Sequence, residues 1–162
     1  MVRDDYGESV REKFQEFLQE FELEDDQAQQ NGGASIRKYA EEIERMKIND
    51  MTTLHVDWDD VCTFDNLLSR SIEDSFYRFE PYLRKAVQNF VSSEEPTYAE
   101  DDKGDKEFFV SFHNMHAVSG VRAITTSDHI GRLCSLKGTV TRTSEVKPEL
   151  LFATFQCLDC NT

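Results

Sequence analysis

At 162 residues the chain can hold one domain with a real core, or one domain and part of a second, but not a large multidomain enzyme. Its 38% apolar residues, with 12 phenylalanines, are enough to bury that core, so a folded chain with a charged surface is expected rather than a disordered one. The 32 acidic against 18 basic residues, net −14, exclude a free-standing binder of nucleic acid or of a membrane surface, because phosphate contacts need Lys and Arg. DNA contact would have to come from a local basic patch or from partner subunits. No run of about eighteen apolar residues exists and the first thirty residues are acidic, so neither membrane insertion nor secretion is expected.

In chain order, Val10, Phe14, Phe17, Leu18 and Phe21 fall on one face of a helix predicted over Glu8 to Glu22. After a polar break at Asn31, Gly32 and Gly33, Ser35 is the expected N-cap of a second helix carrying Ile36, Tyr39, Ala40 and Ile43. The alternation Leu54, Val56, Trp58 predicts one short strand or extended connector. Asp59 or Asp60 then caps a helix whose face is Val61, Phe64, Leu68, Ile72 and Phe76, stopping before Pro81. Pro81 opens another helix, with Leu83, Ala86, Val87, Phe90 and Val91 as its buried stripe.

Between Ser92 and Glu107, seven acids, two lysines, Pro96 and Gly104 predict an exposed loop, and Phe108 to Phe112 has strand composition. From Val121 onward, Gly131, Leu133, Leu136, Gly138, Val140, Phe152 and Phe155 lie among Thr, Ser and Arg, a pattern of short strands with glycines at bends. Helical and β regions thus divide near residue 113. No glycine-rich phosphate loop occurs, so the chain offers no visible means to bind ATP.

The sharpest chemical signal is Cys157-Leu158-Asp159-Cys160. A two-residue gap lets two thiolates reach one tetrahedral zinc ion from a tight turn, but zinc takes four ligands and only this half site is present. Two buried thiols fit the spacing as well. A thioredoxin-like pair would need a strand-to-helix setting, and a zinc deaminase would need His-x-Glu, which none of the four histidines supplies. Cys62 and Cys134, among apolar neighbours, read as small core residues. Arg122, Arg132, Lys137, Arg142 and Lys147 against three acids make residues 120–150 the one region whose sign suits a phosphate backbone. Ordinary solvated strand edges would look the same.

With those residues in view, the chain resembles the N-terminal region of the minichromosome maintenance (MCM) family of replicative helicases, and within it the sixth-subunit branch of the eukaryotic heterohexamer. The resemblance rests on Glu12 to Glu22 (EKFQEFLQEFE), Ser75 to Val91 (SFYRFEPYLRKAVQNFV), Ile130 to Thr143 (IGRLCSLKGTVTRT), Pro148-Glu149-Leu150, and Thr154 to Cys160 (TFQCLDC). It implies an α+β chain in which a helical bundle subdomain, 1–113, is followed by the start of an oligonucleotide-binding (OB) type β-barrel, 114–162, truncated inside its zinc-ribbon insertion. It implies a non-catalytic part of a DNA replication licensing factor or replicative helicase subunit in the nucleus, with other MCM subunits and DNA as partners and no membrane. Cys157 and Cys160 match the first cysteine pair of the family's zinc site, Arg132, Lys137 and Arg142 are the DNA-backbone candidates, and ATP binding belongs to regions with no counterpart here. The competing expectation is a stand-alone acidic protein-interaction module with no DNA role.

Overall fold

The computed structural model describes residues 4–23, 36–101, 104–115, 120–122, 124, 127–148, 150 and 153–156. The first helix, α1, spans Asp5–Glu20; the Asp4 carboxylate caps it by accepting from the Gly7 N–H at 3.1 Å, and Asp5 and Glu8 place negative charge at its positive end. Val10, Phe14, Phe17 and Leu18 are buried as their spacing predicts, and Phe21 packs at the core's edge. Gly7 is dictated by close approach: a Cβ there would lie 2.5 Å from Tyr82 Cζ.

Strand β1 (Glu22–Leu23) pairs antiparallel with β2 (Ile36–Arg37), and α2 follows at Lys38–Ile48. Ile36 therefore belongs to a strand, not to the helix expected to carry it. The cap position is Arg37, whose side chain makes no capping bond, while Ser35 and the break at residues 31–33 lie outside the described residues. Tyr39, Ile43 and Met46 form the buried stripe of α2.

Strand β3 (Thr53–Asp57) buries Leu54 and Val56, and Trp58 opens α3 (Trp58–Phe64) rather than ending the strand. The cap is Asp57, which accepts from the Asp59 N–H at 3.0 Å, in place of the expected Asp59 or Asp60. The single helix predicted from Val61 to Phe76 is two: α3 and α4 (Asn66–Asp74). The break is Asp65, whose extended backbone (φ −151°) frees its carboxylate to accept from the N–H groups of Leu67 and Leu68. Apolar residues at helical spacing survive such a break, so periodicity alone does not reveal it.

Helix α5 (Phe76–Glu94) starts after Ser75 and runs through Pro81, five residues inside it. The proline removes one backbone bond within the second turn, and burial of Phe79, Leu83, Ala86, Val87, Phe90 and Val91 on one face outweighs that loss. Glu94 and Glu95 mark the helix end, and α6 (Pro96–Ala99), β4 (Glu100–Asp101) and β5 (Gly104–Asp105) then occupy the stretch expected as an exposed loop. Tyr98 and Ala99 are buried there, and the Tyr98 hydroxyl donates to the Met51 carbonyl.

Strand β6 (Phe109–His113) returns to pair in parallel with β3, Leu54 opposite Val110 and Val56 opposite Phe112. Phe112 meets the edges of Trp58 and Phe14, with ring centroids 5.2 and 6.1 Å apart. Helix α1 packs most extensively on α5, and the core lies between them, α2 and the β3–β6 pair. The chain is thus a mixed helix and strand protein. Beyond residue 120 the described residues form no strand of the expected run; they hold a 3-10 turn at Ser127–His129 and a single bridge position at Leu136, and Gly131 and Leu133 bond through their main chain to the helical bundle.

Two carboxylates hold the N-terminal helices at neutral pH. The Lys13 ammonium beside Asp65, helped by the Leu67 and Leu68 N–H groups, holds that carboxyl below its ordinary value near 3.8, and Arg78 with the Gly7 N–H does the same to Asp4. A carboxyl whose pKa is lower folded than unfolded stabilises the fold above the unfolded value and ceases to as pH falls through the folded one. Stability should therefore drop as pH falls below about 3.8. In urea melts, Asp65→Asn, which keeps a capping oxygen but no charge, should be weaker at neutral pH and flatter in acid; an unchanged acid limb would refute the assignment.

Candidate nucleic-acid interface and cysteine segment

The charge along the sequence is sharply divided. Residues 1–113 carry 28 acids and 13 bases, net −15, whereas residues 114–162 carry four acids and five bases, net +1. Most helical-region cations are engaged by neighbouring acids: Lys13 with Asp65 at 2.8 Å, Arg37 with Glu94 at 2.7 Å, Lys47 with Glu95 at 2.7 Å and Arg78 with Asp4 at 2.7 Å. A cation so engaged is a poor phosphate ligand, since binding DNA would require breaking its pair.

The three basic residues singled out by sequence have different fates. Lys137 and Arg142 are exposed, and no ion pair engages either among the described residues. Arg132 instead meets the carboxylate of Asp74, a residue 58 positions earlier at the end of α4. Its main-chain neighbours are fastened too: the Tyr77 N–H donates to the Gly131 carbonyl at 3.1 Å and the Leu133 N–H to the Glu73 carbonyl at 2.9 Å. The structure therefore separates Arg132, tied to the helical bundle, from Lys137 and Arg142, which pair with no acid among the described residues. Charge counting along the sequence could not have found Asp74 as a partner, because nothing local links the two residues.

Cys157 and Cys160 lie outside the described residues, and among the described residues no three His, Cys, Asp or Glu side chains group as metal ligands. Cys62 is half-buried against the core, and Cys134 is half-buried with its thiol 3.8 Å from the Arg132 carbonyl. Among the described residues no helix is long and apolar enough to cross a membrane.

The model of the MCM N-terminal domain matches residues 11–114, and that of the MCM OB domain matches residues 120–162. The chain belongs to the MCM family. Curated MCM relatives align over nearly all of it: DNA replication licensing factor MCM6 of Arabidopsis thaliana is 39% identical across 99% of the chain, and mcm6 of Schizosaccharomyces pombe is 36% identical across 99%. Mcm6 of Anopheles gambiae is 37% identical across 99%. The chain spans only 18 to 20% of the length of these MCM proteins. The OB-domain match covers a stretch with no strand longer than the single bridge at Leu136 among the described residues, so family membership there rests on sequence.

Proposed function

We propose that this chain is the N-terminal, non-catalytic part of a nuclear DNA replication licensing factor of the MCM6 type, a scaffold through which MCM subunits assemble around DNA. The observation that carries the reading is the end-to-end alignment with MCM6 relatives, across both MCM domain models in order. In this reading residues 1–113 are the helical subdomain and residues 114–162 an incomplete OB fold. ATP hydrolysis belongs to the part of the parent protein that this chain does not span. The test is a chimera in which this chain replaces the matching residues of the fission yeast relative. Growth is expected; a stably expressed chimera that cannot replicate would contradict the reading.

The charge division supports a division of labour. An acidic bundle with most of its cations already paired suits protein contacts, and Lys137 and Arg142 suit the phosphate backbone. Each phosphate contact on single strands contributes about 0.7 to the slope of log affinity against log salt. The paired change Lys137→Gln and Arg142→Gln should lower the slope measured on an oligodeoxythymidine by about 1.4. Arg132→Gln, whose partner is Asp74, should lower it by less, and equal effects would remove the distinction.

Zinc is the cofactor this reading assigns to Cys157 and Cys160, as half of a tetrahedral ribbon site. The chemistry of the pair fits: two thiolates across a two-residue gap match one edge of a tetrahedral site. Two chains sharing one ion would give about one zinc per two chains by elemental analysis, lost in the Cys157→Ser, Cys160→Ser variant. Zinc retained by that variant would refute the assignment.

A further inference from the structure

We propose that residues 130–133 form a strap that latches the α4–α5 elbow, fixing the direction in which the following segment leaves the helical bundle and able to release without unfolding it. Helices α4 and α5 meet at Ser75, where the last carbonyls of one and the first N–H groups of the other lack partners within their own helices. Ser75 supplies no side-chain cap. The strap supplies main-chain partners to both ends: the Gly131 carbonyl accepts from the Tyr77 N–H at 3.1 Å, and the Leu133 N–H donates to the Glu73 carbonyl at 2.9 Å. Between them Arg132 pairs with Asp74, the last residue of α4.

The geometry that presents alternate backbone groups to one elbow depends on Gly131, whose φ of +77° lies in the left-handed region that L side chains avoid. A Cβ there would meet Tyr77 Cβ at 3.7 Å, an ordinary contact, so a substitution would strain the backbone without a clash. The Leu133 side chain packs at the core's edge, but the central residues Phe14, Phe17, Leu83 and Phe90 are enclosed by the bundle itself. From Leu136 to Pro148 every residue is exposed, so the strap is the last firm hold before a long solvated stretch. Arg132 is thereby a positioning residue, a role independent of whether the chain contacts DNA.

Site-resolved amide exchange on the 162-residue chain tests this. In the wild type the Tyr77 and Leu133 amides should be protected. Gly131→Ala should speed both about tenfold through backbone strain, and Gly131→Asn less, because asparagine tolerates the left-handed region. Arg132→Gln and Asp74→Asn, which leave the backbone unstrained, should each speed them up to about fivefold, with the swapped pair Arg132→Asp, Asp74→Arg returning toward wild type. The Phe90 amide, in the bundle core, should not change in any of them. The proposal fails if Tyr77 and Leu133 are unprotected in the wild type, if none of the substitutions speeds them, or if they speed only together with Phe90.

Discussion

Phe17→Ala is expected to cost about 3–5 kcal/mol in urea unfolding, a large share of the stability of a domain this size. Phe17 is fully buried and its ring is the hub of an aromatic cluster, with centroids 5.1 Å from Tyr39, 5.4 Å from Phe21 and Phe64, and 5.7 Å from Phe14. Those four rings come from α1, the residue after it, α2 and α3, so truncation opens a cavity where three helices meet. The cost combines the lost transfer energy of the ring with the dispersion contacts its neighbours forfeit across the void. A loss below about 1 kcal/mol would mean that the α1–α2–α3 junction collapses freely and is not the packing centre.

Tyr39→Phe leaves no cavity, yet should cost about 1–3 kcal/mol, because it strips the partner from polar groups near the core. The Tyr39 hydroxyl donates to Asp60 Oδ2 at 2.6 Å and accepts from the Asp57 N–H at 3.3 Å, joining α2 to the β3–α3 corner. Burial, and the Asp60 carboxylate beside it, push the phenol well above its ordinary range, so it remains a neutral donor at every working pH. Lys38 Nζ, 2.5 Å from the same Asp60 oxygen, keeps the carboxylate compensated in the variant. The Asp57 N–H has no such substitute. Because the Phe17 and Tyr39 rings are in contact, the double variant should cost less than the two singles added together, and strict additivity would argue that the hydroxyl and the ring cluster are independent.

The helical half was largely legible in the sequence because its stripes recur at helical spacing, and Val10, Phe14, Phe17 and Leu18 or Leu83, Val87 and Phe90 leave little choice of face. What was not legible depended on partners far along the chain. Tyr98 sits in a stretch dense with acids, and its burial is made favourable by distant partners, the Met46 and Met51 carbonyls that its hydroxyl reaches. The sequence pointed to Asp59 or Asp60 as the cap, and the choice of Asp57 follows from its place as the last residue of β3, with the extended backbone a cap requires. Pro81 was read as a helix start because its local cost is certain while the packing that offsets it is not visible locally.

The candidate site divides in the same way. Lys137 and Arg142 kept the exposure that their charge suggested, but Arg132 did not, since Asp74 and the two main-chain bonds around it exist only once α4 and α5 are folded. The cysteine pair is legible by spacing alone and falls outside the described residues. In the segment that matches the OB domain, Leu136, Val140 and Phe155 of the expected strand pattern are exposed, because such a pattern specifies a face and not the neighbour that covers it.

The most direct measurement is the mass of the assembly formed when the 18.8 kDa chain is mixed with the N-terminal regions of the other MCM subunits and sedimented at micromolar concentration. The scaffold account predicts that the chain leaves its monomer boundary and moves with those partners as a complex several times heavier. A chain that sediments at 18.8 kDa whatever MCM partner is present would contradict it.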